Sequence, residues 1–227
     1  MIIRNPGYKI LSSTQELIDV PLIIEEMARV CYKSEGNSNN TRIGAENFIR
    51  NKIRNHESIG DHGYIRVKIV CDRSVSHELV RHRIGIAICQ ESQRYVNYLK
   101  KGIEFIKPWF WAIPGKENHL LIWENHMMEC EKVYNLLIHN GSNPEEARLV
   151  LPNSTKTELN ITVDITEWRH IFTLRAINKR AYSLMRQIMV PLLLDLNLYV
   201  PSCFEDLVEK LTDKDEHILQ VSECDRL

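Results

Sequence analysis

The sequence predicts an α+β fold: a helix-rich single domain over residues 1–211 around a small, mostly antiparallel sheet, followed by a polar tail at 212–227. Three observations carry this. Apolar residues recur at helical spacing through most of the chain, whereas strand-like alternation is confined to a few short runs. No Pro/Gly/Ser-rich linker, internal repeat or low-complexity stretch divides it. A length of 227 residues suits one domain and buries roughly 70% of the unfolded surface without metal or disulfide staples.

The elements follow in order. Tyr8 to Leu11 reads as a short strand, and Pro21 to Cys31 as a helix with Pro in its first turn. A polar loop, Gly36 to Thr41, leads into a helix from about Ala45 to Asn55. Tyr64 to Cys71 sets Ile65, Val67 and Ile69 against Arg66 and Lys68, the alternation of a half-buried strand. Ser74 to Arg83 reads as a helix, and Lys101 to Gly115, with Pro108 and Pro114, as irregular. Glu117 to His139 is a long helix. Asn143-Pro144-Glu145-Glu146 starts another, with Asn as cap, Pro first and Glu three after the cap. Thr157 to Val163 is a strand candidate; helices at about Thr166–Asn178 and Arg180–Leu194 follow, and Ser202-x-x-Glu205 opens the last.

Charge is balanced only on average. Lys+Arg number 29 and Asp+Glu 30, a net of −1 that argues against a nucleic-acid or acidic-membrane binder. Yet from Tyr64 to Lys101 eight Lys/Arg face three acids (+5), and from Ile165 to Val190 five face one (+4). Two basic islands sit in an otherwise acidic chain. The N-terminus has no signal-like apolar stretch, and the longest apolar run, Ile188 to Leu194, is broken by Pro191 and too short to span a bilayer. Six scattered Cys without paired spacing fit free thiols in a reducing cytoplasm.

Several chemistries are missing. There is no GxGxxG and no GxxxxGK[ST], so a nucleotide here is not held by a Rossmann or P-loop cradle. His77-Glu78-Leu79-Val80-Arg81-His82 is one residue too long for a zincin motif; on a helix its histidines point about 140° apart, and no metal site is expected.

One constellation does carry a signal: Arg81-His82-Arg83, the uncharged Gly85-Ile86-Ala87-Ile88, then Cys89-Gln90-Glu91-Ser92-Gln93-Arg94. Three consecutive cationic groups cannot share a helix face, so at least one must point inward; the apolar stretch after them reads as buried. A buried guanidinium needs an anion. The following amide, carboxylate, hydroxyl and fork-shaped donors suit a pyrimidine nucleotide monophosphate. The alternative is that Glu78 pairs with Arg81 or His82 and the rest is a solvated face. Residue chemistry alone leaves both open.

These residues resemble the signature of the flavin-dependent thymidylate synthases, which joins an Arg-His-Arg run to Ser-x-Arg. Further blocks are similar in order: Ala28-Arg29-Val30-Cys31-Tyr32, His56-Glu57-Ser58-Ile59-Gly60-Asp61-His62, Glu145-Glu146-Ala147-Arg148-Leu149-Val150-Leu151-Pro152, and Trp168-Arg169-His170-Ile171-Phe172-Thr173-Leu174-Arg175. Together they cover about residues 25–205. The resemblance implies the fold of thymidylate synthase-complementing proteins, a homotetramer with shared sites, and transfer of the methylene of 5,10-methylenetetrahydrofolate to C5 of dUMP. FAD, reduced by NADPH, would supply the hydride. Arg81, His82 and Arg83 would bind FAD with Ser58, Gln90, Asp164, Thr166 and His170. Glu78, Arg81, Gln90, Glu91, Ser92, Gln93, Arg94 and Arg148 would line the dUMP site, and Arg175 would polarise the uracil as the catalytic cation. The reaction needs no enzyme nucleophile, so Cys89 is expected to be non-catalytic.

The chain departs from the pattern twice. Eight residues, Ile84 to Glu91, separate Arg83 from Ser92 where the family has seven, so a bulge or loop is expected within Ile84–Ile88. Asp164-Ile165-Thr166 stands where the family commonly has Asn-x-Arg, removing a cation; Asp164, with Glu167 three later, also reads as a helix cap. A related flavin- and folate-dependent pyrimidine nucleotide hydroxymethylase, or a non-catalytic nucleotide-binding homologue, would share these features.

Overall fold

The alternation of Tyr64–Cys71 and Thr157–Val163 becomes the spine of the sheet. The computed structural model describes residues 1–212, 218–220 and 222–227. Its strands are β1 (Ile2–Arg4), β2 (Gly7–Ile10), β3 (Tyr64–Asp72), β4 (Ile86–Gln90), β5 (Glu104–Ile106), β6 (Lys156–Asp164) and β7 (Asp225–Arg226). Its α-helices are α1 (Thr14–Arg29), α2 (Arg42–Lys52), α3 (Arg73–Leu79), α4 (Glu117–His139), α5 (Pro144–Ala147), α6 (Ile165–Phe172), α7 (Ser183–Tyr199) and α8 (Pro201–Val208). Five strands lie in the order β4-β6-β3-β2-β7. β3 and β6 run antiparallel over their full length, from Tyr64 opposite Asp164 to Asp72 opposite Lys156. β4 and β2 extend this sheet antiparallel on either side, and β7 joins β2 in parallel. β1 and β5 form a separate parallel pair. The α+β expectation, with its mostly antiparallel sheet, holds.

The core lies between the sheet and helices α1, α2, α6, α7 and α8, with Ile65, Val67, Ile69, Leu159, Ile161 and Val163 against them. Trp168 stacks on Phe172 at 5.2 Å, and Phe172 meets Phe204 edge-on at 5.7 Å, which ties α6 to α8. Arg169 of α6 is buried but paired, donating to Asp206 (2.7 and 3.0 Å) and to the Cys203 carbonyl (2.6 Å). A second cluster, including Phe105, Trp123, Met127 and Tyr134, packs α4 over residues 98–105.

Several boundaries differ from the sequence reading. α1 starts seven residues before Pro21, because Ser13 and Glu16 close a reciprocal capping box; Pro21 lies inside the helix. α3 ends at Leu79, so the Arg-His-Arg run lies outside it. The helix expected over Thr166–Asn178 is α-helical only to Phe172 and continues as a π-helical turn, Thr173–Ile177. α7 runs on to Tyr199 with Pro191 inside. Asn143 caps α5 in a complete capping box, as its sequence signal indicates.

The stretch read as a polar tail lies partly outside the described residues, at 213–217 and 221. Its described end returns to the sheet. Asp225 N–H donates to the Pro6 carbonyl and Leu227 N–H to that of Tyr8, while Arg226 pairs with Asp195 at 2.7 Å. Gly7 permits this approach: a Cβ there would stand 2.6 Å from the Asp225 carbonyl oxygen. No described helix is long and apolar enough to cross a membrane.

Candidate active site

The site is assembled where three chain segments meet at one end of β6. Asp72 caps α3 by accepting from Val75 N–H (2.9 Å). Beyond Leu79 the chain leaves the helix in a turn, with Arg81 N–H donating to the Glu78 carbonyl and His82 N–H to that of Leu79. Outside helical geometry, successive residues take opposite sides: Arg81 and Arg83 are exposed and His82 is buried. The inward group is therefore the imidazole rather than a guanidinium, because a neutral ring costs far less to desolvate than a fixed charge.

Gly85 then turns the chain into β4. It has φ +67°, and a Cβ there would meet an Asp164 carboxylate oxygen at 2.0 Å. Its carbonyl accepts from Asp164 N–H (2.9 Å), the last residue of β6. Ile84–Gly85 is the irregular point in the expected window, and β4 is regular from Ile86. The Gly85–Ile88 stretch is not buried as expected. β4 lies at a sheet edge, Ala87 is exposed, and Ile84 before it is 83% exposed.

From Asp164 the chain enters α6 and its π-turn, which present three functional side chains to the same place. Asp164 Oδ1 accepts from Glu167 N–H (2.7 Å), so Asp164 is the α6 cap. Burial pushes its carboxyl above the usual carboxylate range, only partly offset by that backbone bond. Glu167 does not reach back to complete a capping box; its Oε1 lies 2.6 Å from His82 Nδ1. Arg175, on the π-turn, donates from Nε to His82 Nε2 (3.3 Å) and from Nη1 to Glu78 Oε2 (2.6 Å). His170 sits edge-on to His82, ring centroids 5.6 Å apart. The result is a continuous chain, Glu167–His82–Arg175–Glu78, joining α6, the Arg-His-Arg turn, the π-turn and α3. Burial pushes the His82 ring below its ordinary value despite the opposing bond from Glu167, and the Arg175 and His170 charges push the same way as burial.

The π-turn is itself braced. Asn178 N–H donates to the Thr173 carbonyl, Thr173 Oγ1 to that of Arg169 (2.8 Å), and Arg186 Nε of α7 to that of Ala176 (3.0 Å). Such turns commonly mark functional positions, because the wider loop redirects side chains.

A second cluster joins the Ser-x-Arg block to the Glu-Glu-Ala-Arg block. Arg94 pairs with the Glu145 carboxylate (3.0 Å), and Arg148 Nε donates to the Glu145 carbonyl (3.2 Å). Ser92 Oγ accepts from Arg94 N–H (3.3 Å). Gln93 is half-buried with no side-chain hydrogen bond among the described residues. Gln90 is directed to α3 and β6, donating to Ser76 Oγ (3.1 Å) and Thr157 Oγ1 (3.2 Å). Glu91 is engaged elsewhere, accepting from Tyr98 OH (3.0 Å) and Lys156 Nζ (3.2 Å). In the single chain Gln90 and Glu91 are thus committed to structural partners.

Ser58 is exposed on the short helical turn Glu57–His62, which α6 meets through Thr166 Oγ1 donating to the Glu57 carbonyl (2.7 Å). The Thr166 hydroxyl fastens this turn instead of presenting a cation. Arg81 and Arg83 make no side-chain hydrogen bond or ion pair among the described residues, whereas Arg66 and Lys68 of the same basic island are paired with Glu16 and Glu158. Two exposed guanidiniums without counter-charges fit a pyrophosphate-bearing cofactor. His82, Glu167 and His170 offer ligand atoms within 4.8 Å of one another, but both His82 nitrogens are engaged, by Glu167 and Arg175.

Sequence reading missed Glu167, seen only as a capping partner, and Arg186, which braces the π-turn. A charged residue inside an otherwise apolar helix was the available signal for Arg186. It also missed Lys156, buried between Glu91 and Glu158.

An α+β chain whose basic motif, α6 and π-turn converge on one arginine has the build of an enzyme that handles small anions. The family model described as thymidylate synthase complementing protein matches residues 15–202. Relatives include the flavin-dependent thymidylate synthases of Geobacter sulfurreducens, 31% identical over 79% of this chain and 78% of that protein, and of Mycobacterium bovis, 28% identical over 86% and 83%. That of Pyrococcus furiosus is 35% identical over 53% of this chain and 49% of its own. The chain belongs to the flavin-dependent thymidylate synthase family, whose members are enzymes of thymidylate biosynthesis.

Proposed function

We propose that this chain converts dUMP to dTMP, taking the methylene from 5,10-methylenetetrahydrofolate and the hydride from FAD that NADPH has reduced. The observation that carries the reading is Arg175, held in a π-turn between Glu78 and His82 where two family blocks meet. A guanidinium fixed in this way is preorganised to stabilise negative charge on a uracil ring and so make C5 more nucleophilic. Glu78 occupies Arg175 in the single chain, standing where an anionic ring would be received. Arg94 and Arg148, both converging on Glu145, are suited to hold the nucleotide phosphate with Ser92. Arg81 and Arg83 would hold FAD, with His82, Ser58 and His170 beside it. Bound FAD supplies the hydride; a nearby cation favours its reduced, anionic ring. Gln90 and Glu91 would reach substrate only by leaving their present partners. The working form is a cytoplasmic homotetramer with shared sites.

Purified protein should be yellow and should release tritium from C5-labelled dUMP only when folate and NADPH are both present. A colourless protein without FAD affinity would sink the reading. Hydroxymethyl product instead of dTMP would redirect it to the related hydroxymethylase.

A further inference from the structure

We propose that Glu167 is a positioning residue of this site: it fixes His82 in the Nδ1–H form so that Nε2 can accept from, and aim, Arg175. The inference rests on the reading of Arg175 as the group that faces the pyrimidine.

The proton assignment follows from the donor inventory. A guanidinium can only donate, so His82 Nε2, 3.3 Å from Arg175 Nε, must offer its lone pair. In a neutral imidazole the proton then sits on Nδ1, which lies 2.6 Å from Glu167 Oε1. The opposite tautomer would set a ring N–H against the guanidinium N–H and leave Glu167 facing a bare lone pair. Glu167 is 8% exposed and His82 7%, so water is a poor substitute for either partner.

The side chain is available for this because the cap does not use it. Asp164 N–H, which a capping box would return to Glu167, donates to the Gly85 carbonyl instead. The groups around His82 are Glu167 and His170 from α6, Arg175 from the π-turn, and Glu78 of α3 beyond Arg175. Of these, Glu167 is the only acceptor in reach of Nδ1 among the described residues. The arrangement orders an imidazole through its outer nitrogen, as outer carboxylates order the histidines of metal sites.

The test uses flavin-loaded, ¹⁵N-histidine-labelled full-length protein. Long-range ¹H–¹⁵N spectra at neutral pH should show His82 as the Nδ1–H tautomer. Glu167→Gln, whose amide oxygen can still accept, should keep that signature and a near-normal KM for dUMP. Glu167→Met, similar in size but without an acceptor, should lose the signature and raise KM about tenfold. An Nε2–H or doubly protonated His82 in the unaltered protein would overturn the proposal whether or not either variant folds. So would Glu167→Met with an unchanged tautomer and KM. Lack of dUMP turnover in the unaltered protein would instead count against the proposed function, since the tautomer is read without turnover.

Discussion

A buried imidazole between a carboxylate and a guanidinium feels opposing pulls, and at His82 burial outweighs the carboxylate. The folded state therefore binds a proton at His82 less readily than the unfolded chain does. Stability from this group is present above its unfolded value of about 6.5 and is lost as pH falls from there through the lowered folded value. Thermal melts of the unaltered protein should decline below that pH more steeply than those of His82→Gln. Parallel declines would mean that the ring is not held neutral. Cys89 presents the contrasting case, a reactive residue type inside the motif with no role in the cluster. It is exposed on β4, opposite Asn160, and its thiol makes no hydrogen bond among the described residues. Cys89→Ala should therefore keep full tritium release; complete loss with intact fold and flavin binding would overturn the noncovalent assignment. At this scale residue types were legible and directions were not. That one of three adjacent cations must turn inward follows from the sequence, but that it is His82 follows from where α3 stops.

The elements that carry the site are set by their ends more than by their middles. α3, α6 and the β4 turn each begin or end within a few residues of the Glu167–His82–Arg175–Glu78 chain. Gly85 is the tightest of these junctions, combining positive φ with contact to Asp164. In Gly85→Ala a left-handed Ala and its crowding against the α6 cap should cost about 2 kcal/mol. The Asp164 N–H to Gly85 bond should be displaced as well, so melting temperature and flavin affinity should both fall. A stable variant with normal flavin affinity would show that the junction tolerates movement. The sequence made the β3 and β6 strands, α4 and the Asn143 cap legible, because alternation, helical spacing and capping chemistry are local. The π-turn was not, since helical spacing through Phe172-Thr173-Leu174-Arg175 gives no sign of the wider loop. That loop depends on Arg186 from a separate helix. The long β6–β3 pairing and the return of residues 225–227 to β2 likewise depend on contacts distant in sequence.

Across the whole molecule, three of the most exposed apolar residues each follow a proposed binding arginine. Ile84 (83% exposed) follows Arg83, Tyr95 (78%) follows Arg94, and Leu149 (84%) follows Arg148. Nearby lies β4, an edge strand with one unpaired side in the described sheet. Isolated exposed apolar residues are ordinary, but repeated placement beside three candidate ligand-binding cations is what a shared site would require. In that arrangement Arg81 and Arg83 find their counter-charge on a ligand that a second copy helps to enclose, and assembly and flavin binding become coupled. Leu149→Asp tests the coupling, because the exposed side chain supports no packing within its own chain. A charge in an apolar contact between copies should weaken assembly strongly. Sedimentation should shift from the proposed tetramer to smaller species, the bound flavin should be lost with it, and the far-ultraviolet circular dichroism should stay the same. A variant that remains tetrameric and yellow would remove Leu149 from the shared surface. One that dissociates yet retains flavin would show that a single chain holds the cofactor by itself.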